Sequence, residues 1–217
     1  LDQIQIFGAS LHKVEGPRQA ATDDAEEFVK DRGLVYMSHN LSPYFSEGMK
    51  AASYEIAEVL DDGIDHVVLP VGNGSLLIGM VRGFEELLEA GIIARIPKFH
   101  GVQAAAVRPV VAALNGEAWS HDDVLPTNAS GIAVSKPPRL AEMVEAINST
   151  NGTGVTVSEE SLIEWQKRLS SSEGIFAEMT SAGAFEGLRK LIESGVIEKD
   201  SNVCVPITGS GLKEPLK

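Results

Sequence analysis

Two hydrophobic periods, one of about two residues and one of about 3.6, take turns along this chain, and each switch between them marks an element. Residues 4–14, "IQIFGASLHKV", read as a strand. Residues 23–33, "DDAEEFVKDRG", read as a helix with acidic side chains in its first turn and glycine at its end. "LVYMSH", residues 34–39, reads as a second strand. In "SEGMKAASYEIAEVLDDG" the apolar Met49, Ala52, Ile56, Val59 and Leu60 recur at helical spacing, and Gly63 stops the helix. "HVVLPV", residues 66–71, is an apolar run without polar alternation, as expected of a strand buried on both faces.

Such a strand needs crossover helices, and the pattern supplies them. A helix is predicted over 76–90, a strand over 99–104, and helices over "VRPVVAALNG" and 140–148. A short strand "GVTV" follows, then the helices "SEESLIEWQKRLSSS" and "AFEGLRKLIESG" and a last buried strand within "NVCVPITGSG". Only "EAWSHDDVLPTNASGIAVSKPP", rich in turn formers, reads as a long surface connection. This alternation predicts an α/β fold with a largely parallel sheet and helices on both faces.

Composition narrows the partners. The chain has 217 residues, 43% of them hydrophobic, enough for a sizeable core. Against 18 basic residues stand 31 acidic ones, a net charge of -13, so a phosphate backbone or an anionic membrane surface is repelled at long range. Nucleic acid and membrane are therefore not expected as partners. The apolar runs are too short to span a bilayer, the first residues lack the order of a signal peptide, and Cys204 is the single cysteine, so a cytoplasmic location is expected. Three Asn-x-Ser/Thr matches, at Asn128, Asn148 and Asn151, carry no weight without a secretory signal. The five histidines show no metal-ligand spacing; His121 beside Asp122 and Asp123 comes nearest, and no metal is expected. Cys204 reads as a small hydrophobe in a strand.

Candidate chemistry gathers at the glycine turn "PVGNGSLLIG". Gly72 and Gly74 permit positive φ and close approach, Ser75 is placed to cap the following helix, and the first helical amides form an anion site, with phosphate the foremost candidate. The same residues also suit a tight strand-to-helix turn with no ligand. A dinucleotide fingerprint would need glycine where Leu77 stands, and the Gly-Lys-Ser/Thr of a P-loop is absent. A second glycine-rich strand end, "VPITGSGLKEP", places Thr208 and Ser210 hydroxyls at what would be the same sheet edge, or forms a C-terminal turn.

With these residues in view, the chain resembles the fold-type II pyridoxal-phosphate enzymes, most closely threonine synthase and its relatives. The similar stretches are "SHNLSPYFSEGMKAASYEI", "PVGNGSLLIGMVRGFEELLEAGII", "PKFHGVQA", "TNASGIAVSKPPR", "VTVSEESL", "EGIFAEMTSAGAFEGL" and "VPITGSGLK", in family order over nearly the whole chain. The resemblance implies a tryptophan synthase β-like architecture, incomplete at the N-terminus: a partial small domain over 1–41 and a large cofactor-binding domain over 42–217. It implies that Gly72, Asn73, Gly74 and Ser75 hold the phosphate of pyridoxal 5'-phosphate and that Thr208 offers its hydroxyl to the pyridine nitrogen. A neutral hydroxyl there makes the ring a weaker electron sink than a carboxylate would. "AEMTSAGA" would line the cofactor pocket, although Met179 and Gly183 replace the family's usual proline and alanine, and Ala51 stands where threonine is common.

The family anchors its cofactor through a lysine in an N-terminal segment, followed by a Ser-Ser-Gly-Asn-like substrate loop. Neither is matched here, and Lys13, Lys50, Lys98 and Lys213 fall at non-catalytic positions. No catalytic residue is therefore assigned. The expectation is the C-terminal part of a lyase that converts O-phosphohomoserine to threonine by γ-elimination and β-addition of water, inactive as an isolated chain. Alternatives are a serine/threonine dehydratase, a cysteate synthase-like enzyme, or a non-catalytic α/β module for a phosphorylated ligand. The implied partners are a small-molecule amino-acid substrate and either a second copy of the chain or the missing N-terminal segment, and uncovered apolar surface would make the isolated chain self-associate.

Overall fold

The structure, a computed structural model, describes residues 2–16, 18–60 and 63–213. It divides into two compact units, Leu1–Ser38 and His39–Lys217.

The first unit holds α1 (Asp2–Ile6) and α2 (Arg18–Arg32). Two expected strands are absent from it. Residues 4–14 begin in α1 and continue without regular structure, and 34–38 have none. A strand is stable only when a neighbouring strand completes its ladder, and none of the described strands pairs with either segment. The apolar side chains that suggested strands are left in solvent: Phe7 is 88% and Met37 84% exposed. Helix α2 starts five residues earlier than expected. Arg32 closes it, its guanidinium stacked 3.7 Å from the Phe28 ring centroid.

The second unit opens with α3 (Pro43–Met49) and α4 (Ala51–Val59). One continuous helix was expected here. The break falls at Lys50, whose ammonium bonds Glu86 at 2.6 Å and also pairs with Glu47, while Ser53 donates to the Met80 carbonyl at 2.8 Å. Glu86 and Met80 both lie on the next long helix, α5 (Ser75–Glu89), so the junction at Lys50 and α4 are each tied to it.

The remaining elements are β1 (His66–Pro70), α5 (Ser75–Glu89), β2 (Lys98–Ala104), α6 (Pro109–Leu114), α7 (Leu140–Ser149), β3 (Gly154–Val157), α8 (Glu159–Glu173), α9 (Met179–Glu193) and β4 (Val203–Cys204). Helix α9 starts five residues before the expected "AFEGL", so "MTSAG" is helical. The last strand is only two residues long. Beyond it, residues 205–209 leave the ladder, and Ser210 makes an antiparallel bridge to Ala177. Glu214 and Pro215 of that segment lie outside the described residues.

The four strands are parallel in the order β3-β2-β1-β4, with His66 opposite both Lys98 and Val203 and Gly101 opposite Gly154. Alternation along β1 sends Val67 and Leu69 to one face and Val68 to the other, all three fully buried. On the first face they meet Phe99, then Leu77, Met80 and Phe84 of α5 and Met143 and Ile147 of α7. On the second, Val68, Val102 and Val157 meet Leu162 of α8 and Met179 and Leu191 of α9. Helices thus cover both faces of a parallel sheet, as the continuous apolar run of β1 requires. Among the described residues no helix is long and apolar enough to cross a membrane.

Candidate functional site

The strand order places the site. From β1 the chain moves outward to β2 and β3, then returns to set β4 on the other side of β1. The order reverses between β1 and β4, and in open parallel sheets the crevice outside the strand ends at such a reversal receives ligands. Because β1 and β4 are parallel, the turn of Gly72, Asn73, Gly74 and Ser75 and the segment carrying Thr208 leave the sheet at the same edge.

Gly74 is the N-cap of α5, with φ 82° and ψ 0°, a left-handed conformation that favours glycine. Ser75 is not the cap, contrary to the expectation from sequence. It is the first helical residue, 92% buried, and its Oγ has no hydrogen-bond partner. The first amide of α5 to find a backbone acceptor within the turn is that of Ile78, which donates to Gly74 O at 2.9 Å. A buried, unpartnered hydroxyl costs about 1–3 kcal/mol, so its survival beside helix N-terminal amides fits an anion that accepts from both. Phosphate fits that donor set.

Gly72 has a packing task as well. A Cβ there would lie 2.9 Å from the Gly131 carbonyl oxygen and 3.1 Å from Ile132 Cα, so its missing side chain admits a neighbouring loop. That loop belongs to the predicted surface connection, whose middle is not at the surface: Ala129 and Ile132 are buried, and Gly131 N–H donates to Thr180 Oγ1 of α9 at 3.1 Å. Glycine 209 likewise makes room for protein, since a Cβ there would sit 2.5 Å from Glu178 Oε1.

Gln103, which no motif marks, supports the turn. It is fully buried, its amide donates to the Val71 carbonyl at 3.0 Å, and its oxygen accepts from the Val110 and Val111 amides at 2.9 and 3.1 Å. One side chain thereby satisfies two N-terminal amides of α6 and fixes the residue preceding Gly72.

On the other side of the crevice, Thr208 is exposed, and two side chains hold it through three contacts. Its amide donates to Ser181 Oγ at 3.0 Å, its Oγ1 lies 2.8 Å from that same oxygen, and Oγ1 donates to Glu178 Oε1 at 3.2 Å. Glu178 is 96% buried at the start of α9, and Lys213 Nζ approaches its other oxygen to 2.6 Å, near enough for an ion pair though not aligned as a hydrogen bond. The polar pair Glu178 and Ser181 was visible only as part of "AEMTSAGA"; their i, i+3 spacing on a helix could have signalled a shared target.

Elsewhere, Cys204 is half-buried in β4 and burial pushes its thiol pKa up, which suits a packed side chain and not a nucleophile. His121 lies in an exposed turn 3.6 Å from Asp122, and among the described residues no three His, Cys, Asp or Glu side chains cluster as metal ligands would.

Fold and site together define an open parallel α/β sheet with the Gly72–Ser75 turn and the Thr208 segment at the same end of neighbouring strands. Residues 1–209 match the pyridoxal-phosphate dependent enzyme family, and the chain belongs to it. It is 34% identical to threonine synthase of Methanocaldococcus jannaschii, a match that covers 99% of this chain and 54% of that protein. Identity to threonine synthase of Methanosarcina acetivorans is 35%, over 98% of this chain and 53% of that one. The chain thus spans about half the length of these relatives. Among solved structures, a fungal L-serine ammonia-lyase from Rhizomucor miehei superposes with TM-score 0.79 at 19% identity, over 96% of this chain and 65% of that one. The processed form of threonine deaminase isoform 2 from Solanum lycopersicum gives 0.78 at 22%, over 96% and 58%. Pyridoxal phosphate is the cofactor of the family, and the fold is that of these enzymes.

Proposed function

We propose that this chain is the cofactor-holding part of a lyase that acts on an amino acid, and that its reaction resembles that of threonine synthase: γ-elimination from O-phosphohomoserine, then addition of water at the β carbon. The observation that carries the cofactor assignment is Ser75 Oγ, buried without a partner at the start of α5, at the sheet edge where Thr208 presents an exposed hydroxyl. What favours threonine synthase over a dehydratase is sequence: the relatives at 34% and 35% identity are threonine synthases, whereas the deaminase and ammonia-lyase share the fold at 22% and 19%.

In this reading each residue has a physical task. Gly74 turns the chain so that the free amides of α5 and the Ser75 hydroxyl donate to the cofactor's phosphate. Gln103 keeps that turn in place. Across the crevice, Thr208 meets the ring nitrogen, and Ser181 and Glu178 fix its rotamer. When bound, the pyridoxal ring supplies the electron sink for the reaction.

In this reading neither Lys213 nor Lys50 is the amine that anchors the cofactor and moves protons. Lys213 is paired with Glu178, and Lys50 is held by Glu47 and Glu86 between α3 and α4. The isolated chain is therefore expected to bind the cofactor non-covalently and to release no phosphate from O-phosphohomoserine. Intact mass after borohydride reduction with pyridoxal phosphate checks the same point. Turnover, or one stoichiometric adduct on a single lysine, would show that the amine lies within these residues.

A further inference from the structure

The sequence holds three Asn-Gly pairs, at Asn73, Asn115 and Asn151. Such a pair is chemically labile because glycine has no Cβ to shield its amide nitrogen, which can attack the preceding asparagine side chain and close a succinimide ring. In a folded chain the rate depends on whether both reacting groups are free. At Asn115 they are not: its side-chain amide donates to Glu117 Oε1 at 3.0 Å, and Gly116 N–H donates to the Ala113 carbonyl at 3.2 Å. At Asn151, Gly152 N–H donates to the Ile147 carbonyl at 2.9 Å, and a Cβ on Gly152 would fall 1.6 Å from the Phe99 carbonyl oxygen, so the surrounding backbone clamps the nucleophile. Asn73 differs on both counts. Neither its side chain nor Gly74 N–H has a hydrogen-bond partner among the described residues, and Gly74 faces the flexible Met143 side chain where Gly152 faces backbone. The start of α5 adds a second factor, since the positive end of the helix stabilises the deprotonated Gly74 nitrogen and the oxyanion formed on attack. Exposure alone points the other way: Asn115 and Asn151 are exposed and Asn73 is half-buried.

We propose that Asn73 is a self-modification site, at which the cofactor-free turn deamidates, and that an anion bound in the turn protects it. The Gly74 amide gives its proton to a buffer base, its nitrogen bonds to Asn73 Cγ, and the Cγ–Nδ2 bond breaks to release ammonia. Water then opens the succinimide. Cleavage of the new N–Cγ bond leaves aspartate, and cleavage at the Asn73 main-chain carbonyl leaves isoaspartate. Nothing is oxidised or reduced, and water is the co-reactant. Either product puts a carboxylate beside the amides that would take a phosphate, and isoaspartate also lengthens the backbone of the turn. Charge repulsion then closes the cradle to anions. The protective part of the proposal rests on the reading of the turn as a phosphate site: a phosphate that accepts from Gly74 N–H removes the nucleophile. Bound cofactor thus preserves the chain, and a chain left empty loses its site.

The test follows the unmodified chain by peptide mass mapping during incubation in mildly alkaline buffer, with all three asparagines read in each sample. In the folded chain Asn73 should convert roughly tenfold faster than Asn115 and Asn151, the rate equivalent of one hydrogen bond that need not be broken. In urea the three rates should converge, because each asparagine then precedes an unbonded glycine amide. Saturating inorganic phosphate, compared with chloride at equal ionic strength, should slow Asn73 relative to the other two, which report any catalysis by phosphate itself. Asn73→Asp should weaken phosphate binding by roughly tenfold or more. Conversion at Asn73 no faster than at Asn115 and Asn151 in the folded chain would overturn the proposal, whatever phosphate does. Fast conversion that phosphate leaves unslowed would overturn the phosphate reading of the turn and the protection with it, while leaving the modification site in place.

Discussion

Ser75→Ala is expected to weaken pyridoxal-phosphate binding by roughly 10- to 100-fold, the loss of one charge-assisted hydrogen bond of about 1.5–3 kcal/mol, without destabilising the free chain. The two effects part company for a physical reason. In the free chain the Ser75 hydroxyl is buried and donates to nothing, so removing it takes away an unsatisfied polar group and leaves the thermal midpoint unchanged or slightly raised. With phosphate in the turn, the same hydroxyl becomes a donor to a dianion. A residue that merely caps α5 would behave in the opposite way: its alanine variant would lose about 1 kcal/mol of stability with or without ligand. Fluorescence titration with the cofactor and a thermal scan of the free chain, run on both proteins, separate these cases.

The second large effect is acid lability. His66 and His100 lie on the same face of β1 and β2, with His66 Nδ1 2.9 Å from His100 Nε2 and the rings stacked at 5.1 Å. His66 is 5% exposed and His100 not at all, and His100 Nδ1 has no partner. Burial, with the nearby positive charge of His66 when protonated and of Lys98, pulls the His100 pKa down to about 4; burial and Lys98 lower that of His66, against Asp65 and Glu198. In the unfolded chain both imidazoles titrate near 6.5. Above that pH neither state carries the proton and the full stability is present. As pH falls below 6.5 the unfolded state takes up a proton that native His100 refuses, so stability is lost, by about 2 kcal/mol at pH 5 and about 3 kcal/mol near pH 4 from His100 alone. Urea denaturation at pH 7.5 and pH 5 should show this fall, and His100→Gln should flatten it. A fall of equal size in the variant would assign the acid sensitivity to carboxylates instead.

Both effects arise from residues that hydrophobic patterning does not single out. The pattern located β1 well, because "HVVLP" is buried at all five positions and only a strand covered on both faces has that signature. It located α5 and the site turn for the same reason: a buried strand must run into a tight turn and a covering helix. It failed at 4–14 and 34–39, where apolar alternation was genuine but none of the described strands pairs with either segment to complete a ladder, so local preference had nothing to act on. It also overextended the last strand, since Val205 to Ile207 are as apolar as Val203 and Cys204, yet the bridge from Ser210 to Ala177 draws the chain away from β1.

The site was legible in part. Gly72 to Ser75 and Thr208 stand where their motifs placed them, but the reasons differ: Gly72 admits the loop at Gly131, and Ser75 leaves its hydroxyl open instead of capping the helix. Gln103, Glu178 and Ser181 were not legible, because a buried polar residue matters through partners that lie far away in sequence. Gln103 reaches back 32 residues to Val71, and Thr208 reaches back 30 to Glu178. The usable signal was modest: a glutamine inside the apolar "KFHGVQA" run has to satisfy its amide somewhere, and the first turn of the next helix was the nearest unmet demand.

The central claim, that the β1–α5 turn and the Thr208 segment form one cradle for phosphate and ring, is tested most directly by amide chemical shifts of the nitrogen-15-labelled chain. Inorganic phosphate should move the Asn73, Gly74, Ser75 and Leu76 amides saturably and leave Thr208 still, whereas pyridoxal phosphate should move both sets with a single dissociation constant. Saturating shifts confined to other parts of the chain, or a ring ligand that never perturbs Thr208, would contradict the account.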